Sequence, residues 1–408
     1  MRLDVEKEFF KMITPKKVLV LGAGVMQVKL IKKAREMGHE ALVLGIKGNY
    51  PGLEFASKTI FENFLDLEKT LKIARAEKID AILTCGIDLP VRTIAYVSEK
   101  LGIPGISIFS GEVVSNKSKM QECFSENGVR TARHKQVSTV EEAKTAIAEI
   151  GLPVMFKAVD SGGSKGIIKV NDVSEVETAY EYVRKATRSS YFLVEEFLEG
   201  EEFGAQAFIN KGKIQFVLPH GDYVFHGNTG VPVGHYAPCD YPQSVIDDCL
   251  EQLELCAKAA KLDTCAVNID YILCKNKVYV LELGARCGAT MLAETVSLYY
   301  GFDYYEKMIR CHLGEDPDFS RRPNGCASAT MTLYSDHDGV ITNQENMNPP
   351  DERLVEIRFD KKIGDHVNAF KTGIHRIGHI IVKEKTKEAA EQFMKEALKR
   401  IRITITPD

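Results

Sequence analysis

Cys265-Ala-Val-Asn-Ile-Asp270-Tyr-Ile-Leu273, followed by Val278-Tyr-Val-Leu-Glu282-Leu-Gly284-Ala-Arg286-Cys-Gly288-Ala-Thr290, is the stretch from which the rest of the chain can be read. Two runs rich in Val, Ile, Tyr and Leu flank Lys275-Asn276-Lys277, so the pattern predicts a β-hairpin with one acid on each strand. Asp270 and Glu282 lie nearly symmetrically about the turn. Pairing the strands should bring both carboxylates close together, on whichever face the register allows. Two such carboxylates repel, and one takes up a proton unless a cation neutralises the pair. Magnesium held jointly with phosphate oxygens meets that need, because it takes few protein carboxylates and lets a substrate supply the rest. The alternative, from the hairpin alone, is that one acid faces solvent and the other bonds a loop.

Upstream, Val154-Met-Phe-Lys157 runs into Asp160-Ser161-Gly162-Gly163-Ser164-Lys165-Gly166 and leaves through Ile167-Ile-Lys169. This predicts a hairpin whose glycine-rich tip can fold its backbone N–H groups over phosphates. It lacks the spacing and following helix of a P-loop, and an ordinary hairpin loop is the competing reading. Tyr191-Phe-Leu-Val-Glu195-Glu196-Phe197-Leu198-Glu199-Gly200-Glu201-Glu202 is an apolar strand running into acids. Backbone groups at such a strand end can meet a base edge, and a carboxylate further on can accept two ribose hydroxyls; a strand with a charged turn would look the same.

Before these, Val18-Leu-Val-Leu21, Gly22-Ala-Gly24, an amphipathic run to Met37, Gly38 and Ala41-Leu-Val-Leu44 predict a βαβ unit. Gln27 stands at the third glycine position of a dinucleotide fingerprint and no acid ends the second strand, which argues against a nicotinamide site. The alternation continues through a helix near 67–77, a strand 81–84, a helix to Leu101 and Gly105-Ile-Ser-Ile108, giving a doubly wound α/β domain over the first 110 residues or so. Asp88 is expected either to face a ligand crevice or to cap a helix. Ser115-Asn116-Lys117 opens a helix whose N-terminus can receive a phosphate. Further helices are expected over 139–150, with Thr139 and Glu142 as a capping box, and over 174–187, capped by Ser174 and Glu177.

Residues 219–239 read as a long mobile substrate loop with His220, His226 and His235, whose spacing does not favour zinc. Helix 243–260, helical segments over 291–313 and strand-like segments from about 320 to a final amphipathic helix at 387–400 complete the chain. The 408 residues carry a net charge of −4 and no basic stripe, which argues against nucleic acid as a partner. No apolar run reaches the roughly 18 residues needed to span a bilayer. The ten cysteines include no C-x-x-C and are expected to be reduced thiols, so a cytoplasmic protein is predicted.

Taken together, the Lys-bearing helix start, the Lys157 strand with its Gly/Ser tip, the acidic strand end and the paired acids resemble the ATP-grasp superfamily of carboxylate–amine ligases, over nearly the whole chain. The resemblance implies mixed α/β and α+β architecture: a Rossmann-like domain (1–112), an ATP-grasp subdomain with the glycine-rich lid (113–200), a catalytic subdomain with the metal hairpin (201–318) and a C-terminal α+β segment (319–408). It implies ATP and Mg (or Mn). Lys117, Lys157 and the tip residues Ser161, Gly162, Gly163, Ser164 and Gly166 would hold phosphates. Glu195, Glu196, Phe197 and Leu198 would meet adenine, with Glu195 accepting from its amino group, and Glu202 would bind the ribose. Asp270 and Glu282 would hold the metal, and Arg286 would lie beside the transferring phosphoryl group.

Many members have Asn two residues after the second acid; this chain has Gly284, and Asn268 is the candidate substitute ligand. Glu282-x-x-x-Arg286 with Val233-Gly-His235-Tyr-Ala-Pro238 is closest in form to the bacterial L-amino-acid ligases, which would place His235 at the substrates. The expected partners are a small-molecule carboxylate and amine, with a homodimer common among such proteins. Purine-branch or biotin-carboxylase-like chemistry, and a non-catalytic nucleotide-binding module, are the alternatives.

Overall fold

A computed structural model describes residues 14–160, 166–225 and 231–408. The predicted βαβ start forms a parallel sheet ordered Lys58–Phe61, Glu40–Gly45, Lys17–Leu21, Ala81–Leu83. Its strands are continuous apolar runs because helices cover both faces. Val18, Val20, Ala41 and Val43 pack on one side with Leu30 and Ile31 of helix Val28–Glu36. Leu19, Leu21, Leu42 and Leu44 pack on the other with Leu71 of Leu67–Glu77 and Val97 of Val91–Leu101. Gln27 folds its amide back toward the glycine turn and donates to Cys85 O at 2.5 Å. Gly105–Ile108 is not a strand: Ser107 caps a short helix, Ile108–Val114, by accepting from Ser110 N.

A second, four-stranded antiparallel sheet is ordered His134–Val137, Phe192–Glu196, Val154–Lys157, Ile167–Val170. It has its own core, in which Phe156, Phe192 and Val194 meet helices Val140–Ile150 and Val176–Ala186. Thr139 caps the first of these by accepting from Glu142 N, and the Glu142 carboxylate reaches back to Ser138 N. The second is entered through a 3-10 turn capped by Asp172, not by the Ser174 and Glu177 pair that the sequence suggested.

The largest sheet has eight strands, beginning Lys277–Gly284, Cys265–Cys274, Glu201–Asn210, Lys213–Val224, Pro232–Ala237 and continuing through Ala327–Leu333, Gly378–Glu384 and Leu354–Phe359. The expected loop at 219–239 is thus largely a strand pair, Lys213–Val224 with Pro232–Ala237. His226 lies outside the described residues, as do Ser161, Gly162, Gly163, Ser164 and Lys165. Among the described residues no helix is long and apolar enough to cross a membrane, and all ten cysteines are free.

The hairpin owes its register to two local features. Lys275 and Asn276 both have positive φ (50° and 60°), the signature of a tight two-residue turn matched to strand twist. From that turn, Cys274 pairs with Lys277 and Tyr271 with Val280, a register that would set Asp270 opposite Leu281 and turn Glu282 to the other face. A bulge after Asp270 takes up Leu281 as an extra residue, and beyond it Asp270 pairs with Glu282, Ile269 with Leu283 and Asn268 with Gly284.

Candidate active site

The bulge puts the two acids on one rung, and their surroundings leave them short of positive charge. Asp270 has an open, solvent-facing side, yet the protein around it, the Glu282 charge and the Asp222 charge push its carboxyl up to about 7. Glu282 is ion-paired with Lys117. That lysine is the first residue of helix Lys117–Glu126, whose start is fixed by Asn116 accepting from Ser118 N and Lys119 N. Lys157 ends its strand with a nearly buried ammonium, 2.5 Å from Glu195 Oε2. Burial works against its charge, but Glu195, then Glu282 and Glu202, outweigh this and raise its pKa. The end of the lysine strand therefore lies close enough to the acid hairpin for their charges to interact.

Along the acidic strand end, Glu195 is buried (1% exposed), and its second oxygen, Oε1, has no partner among the described residues. An unpaired buried acceptor is costly, and an incoming N–H donor would satisfy it. Glu196 N donates to Arg133 O at 2.8 Å and Phe197 N to Pro153 O at 3.2 Å, whereas the Leu198 N–H has no partner among the described residues. The Glu196 carboxylate is held by Arg133 at 2.9 Å, and Lys169 Nζ stands 3.6 Å from the centre of the Phe197 ring. Glu202 is exposed at the start of Glu201–Asn210, opposite Ile272. Gly166 re-enters the hairpin with φ +67° and its O accepts from Ala158 N at 2.8 Å.

Arg286 gives Nε and Nη2 to the two oxygens of Asp88 at 2.7 and 2.9 Å, so Asp88 neither caps a helix nor stands free. Burial disfavours both charges; the mutual attraction outweighs it, lowering the Asp88 carboxyl and raising Arg286. A Cβ on Gly284 would stand 3.0 Å from Asp88 Oδ1, so this position borders a carboxylate that follows the strand Ala81–Leu83. Cys85 and Cys287 meet beside this clamp, Sγ to Sγ 2.8 Å, and Gly86 N donates to Cys287 O.

Asn268, the candidate substitute ligand, has one lone pair of its oxygen taken by a neighbouring amide. Gln206 Nε2 donates to Asn268 Oδ1 at 2.6 Å, and the Asn268 amide nitrogen faces Asp270 Oδ1 at 3.4 Å. His235 is buried on its strand, with Nδ1 2.6 Å from Asp222 Oδ1; His220 Nδ1 reaches the same oxygen at 3.0 Å. Burial acts to raise Asp222, but the two histidines outweigh it and hold its carboxyl well below the usual range. Gln206 and Asp222 escaped the sequence reading, although a Gln between Ala205 and Ala207 in an apolar strand was the available sign.

A divalent cation fits this set: two facing carboxylates, one held partly protonated and the other borrowed by a lysine, are a hard-oxygen donor pair short of charge. A nucleotide fits the lysines, the Glu195 oxygen and the Leu198 N–H, the last two without a partner among the described residues.

Residues 115–288 match the family model of the phosphoribosylglycinamide synthetase ATP-grasp (A) domain, and residues 331–406 that of the L-amino acid ligase C-terminal domain 2. The structure is similar to phosphoribosylglycinamide synthetase from Anaerococcus prevotii, at 31% identity and TM-score 0.85 over 96% of this chain and 100% of that one. It also shares the fold of the 2-oxoglutarate carboxylase biotin carboxylase domain dimer from Hydrogenobacter thermophilus, solved with MgADP, ADP and bicarbonate, at 20% identity and TM-score 0.80 over 96% and 91%. In sequence it is 24% identical over 298 residues to alanine–anticapsin ligase of Bacillus subtilis, covering 66% of this chain. The match spans 62% of that protein's length. The chain belongs to the ATP-grasp superfamily.

Proposed function

We propose that this chain joins a small-molecule carboxylate, amino-acid-like in character, to an amine, using ATP and releasing ADP and phosphate. The observation that carries the proposal is the Asp270–Glu282 rung, created by a bulge, with Lys117 ion-paired to Glu282 and Lys157 within reach of the Glu282 charge. In the reaction a substrate carboxylate oxygen attacks the γ-phosphorus and ADP leaves. The amine then attacks the acyl carbon, loses a proton and displaces phosphate. Asp270 and Glu282 would hold magnesium, which supplies charge neutralisation at the phosphate oxygens. Lys157 and Lys117 would exchange their acid partners for phosphate oxygens, with the tip residues 161–166 closing over them. Glu195 would accept from the adenine amino group through its free oxygen, Leu198 would donate to the ring, and Glu202 would accept from the ribose. Arg286, oriented by Asp88, would stabilise the transferring oxygens.

An amino-acid-like substrate is supported by the match of residues 331–406 to an L-amino acid ligase domain and by the likeness to alanine–anticapsin ligase. His235, fixed by Asp222, is proposed to border those substrates. A second reading, with a purine-branch amine as acceptor, is favoured by the 31% identity to phosphoribosylglycinamide synthetase; the carboxylate activation would be common to both. We further propose the division 1–112, 113–200, 201–318 and 319–408, a cytoplasmic location, which the free thiols support, and a homodimer, for which the dimeric biotin carboxylase domain is the precedent. The test is phosphate release from ATP across pairs of L-amino acids, and across glycine with amines of the ribosylamine class. A pair-dependent burst well above background is expected. Background hydrolysis with every pair, or bicarbonate as the sole activator, would overturn the amide-forming assignment.

A further inference from the structure

Behind the acid rung lies a chain of buried polar groups. Gln206 is fully buried on Glu201–Asn210, directly opposite Asn268 in the sheet. Its Oε1 accepts from Gly288 N at 2.7 Å, which makes Nε2 the donor end. Nε2 gives to Asn268 Oδ1 at 2.6 Å and faces His220 Nε2 at 3.3 Å. Asn268, its oxygen committed, can present only its amide nitrogen to Asp270 Oδ1. Gln206 Nε2 also gives to Ala205 O at 3.3 Å, so its second hydrogen is shared between that carbonyl and the His220 ring, whose Nδ1 lies 3.0 Å from Asp222 Oδ1.

The His220–Asp222–His235 group stands at the far end of this chain. Its ligand atoms lie within 4.8 Å of one another, a spacing that a metal could use. In this structure both imidazoles turn their Nδ1 to the one Asp222 oxygen, and Gln206 stands against the other side of the His220 ring. The group is a hydrogen-bonded anchor. The backbone is cleared for it: a Cβ on Gly288 would lie 2.7 Å from Asn268 Oδ1 and 2.9 Å from Gln206 Nε2, and one on Gly204 would lie 2.3 Å from His220 Cε1.

We infer that Gln206 is a positioning residue: anchored by Gly288 N and by the His220–Asp222–His235 group, it turns Asn268 so that its amide donates to Asp270 and sets that carboxylate's direction toward the cation. The inference rests on the metal role proposed for Asp270 and Glu282. Outer partners of metal-binding carboxylates typically govern affinity by about 10- to 100-fold.

The test is Mn2+ binding in the presence of ADP, followed by electron paramagnetic resonance on the full chain. Wild type, Gln206→Met, Asn268→Ala and the double variant are compared, with folding checked by circular dichroism. Each single variant should weaken Mn2+ binding about tenfold or more, and the double variant should be no weaker than the worse single, because both break one link. Asn268→Ala decides the matter if Gln206→Met does not fold. Wild-type Mn2+ affinity in a folded single variant, or losses that add in the double, would overturn the inference while leaving the acid rung standing. Failure of wild type to bind Mn2+ with ADP would overturn the metal role itself.

Discussion

Two aspartates serve the same hairpin and are treated in opposite ways. Asp248, on helix Gln243–Ala259, accepts from both Arg130 nitrogens and from Val278 N, just after the turn. Burial acts to raise it, but Arg130 and the Val278 N–H outweigh this and keep its carboxyl low. Asp270, beyond the bulge, receives one long bond from Asn268, and burial by the protein around it, then the repulsion of Glu282, push its carboxyl up to about 7. The first acid is finished by the fold; the second is left wanting a cation. That contrast separates a structural carboxylate from one kept for a ligand.

The contrast can be broken by substitution. Glu282→Gln should cost the largest effect, about a thousandfold in ATP turnover, with the protein still folded; steady-state phosphate release and a melting curve check both halves. Arg286→Ala should slow turnover by about a hundredfold, ~3 kcal/mol of barrier, while the KM for ATP moves only a few-fold. A change confined to KM would instead make Arg286 a binding residue. Asp248→Ala should do the converse, losing about 2 kcal/mol of stability in denaturant titrations while nucleotide binding persists.

Glu356 sharpens the structural side of the comparison. It lies 2.5 Å from Lys29 and 3.5 Å from His379, tying helix Val28–Glu36 to the strands Leu354–Phe359 and Gly378–Glu384. Burial acts to raise its carboxyl, but His379 and Lys29 outweigh this and lower it from 4.5 to about 2. Its stabilising contribution is therefore complete above pH 4.5 and lost as pH falls through about 2. Discounted for partial exposure, Glu356→Gln should lower stability at pH 7 by about 1 kcal/mol, a difference that vanishes near pH 2. Chemical denaturation across that range reads it directly.

Much of this was legible in the sequence because it rests on periodicity and turn chemistry. The parallel strands of the first domain are unbroken apolar runs, and helix Leu67–Glu77 falls where the pattern set it. The acid hairpin was legible as a hairpin, but its face was not: near-symmetry about the turn suggested proximity, and only the bulged Leu281 achieves it. The histidine segment was misread because glycines that make room for packed side chains look the same as glycines that free a loop. A Cβ on Gly221 would meet the Tyr236 ring, and one on Gly234 would strike Thr330 O. Asp88 on Arg286, 198 residues away in the chain, is a tertiary pairing that no local pattern announces.

Calorimetric titration of ADP into the protein, with magnesium and with chelator, bears most directly on the acid pair. Binding should tighten about tenfold or more with magnesium, and that gain should disappear in Asp270→Asn. Equal affinity with and without the metal, or a gain that survives the substitution, would contradict the role given to the bulged rung.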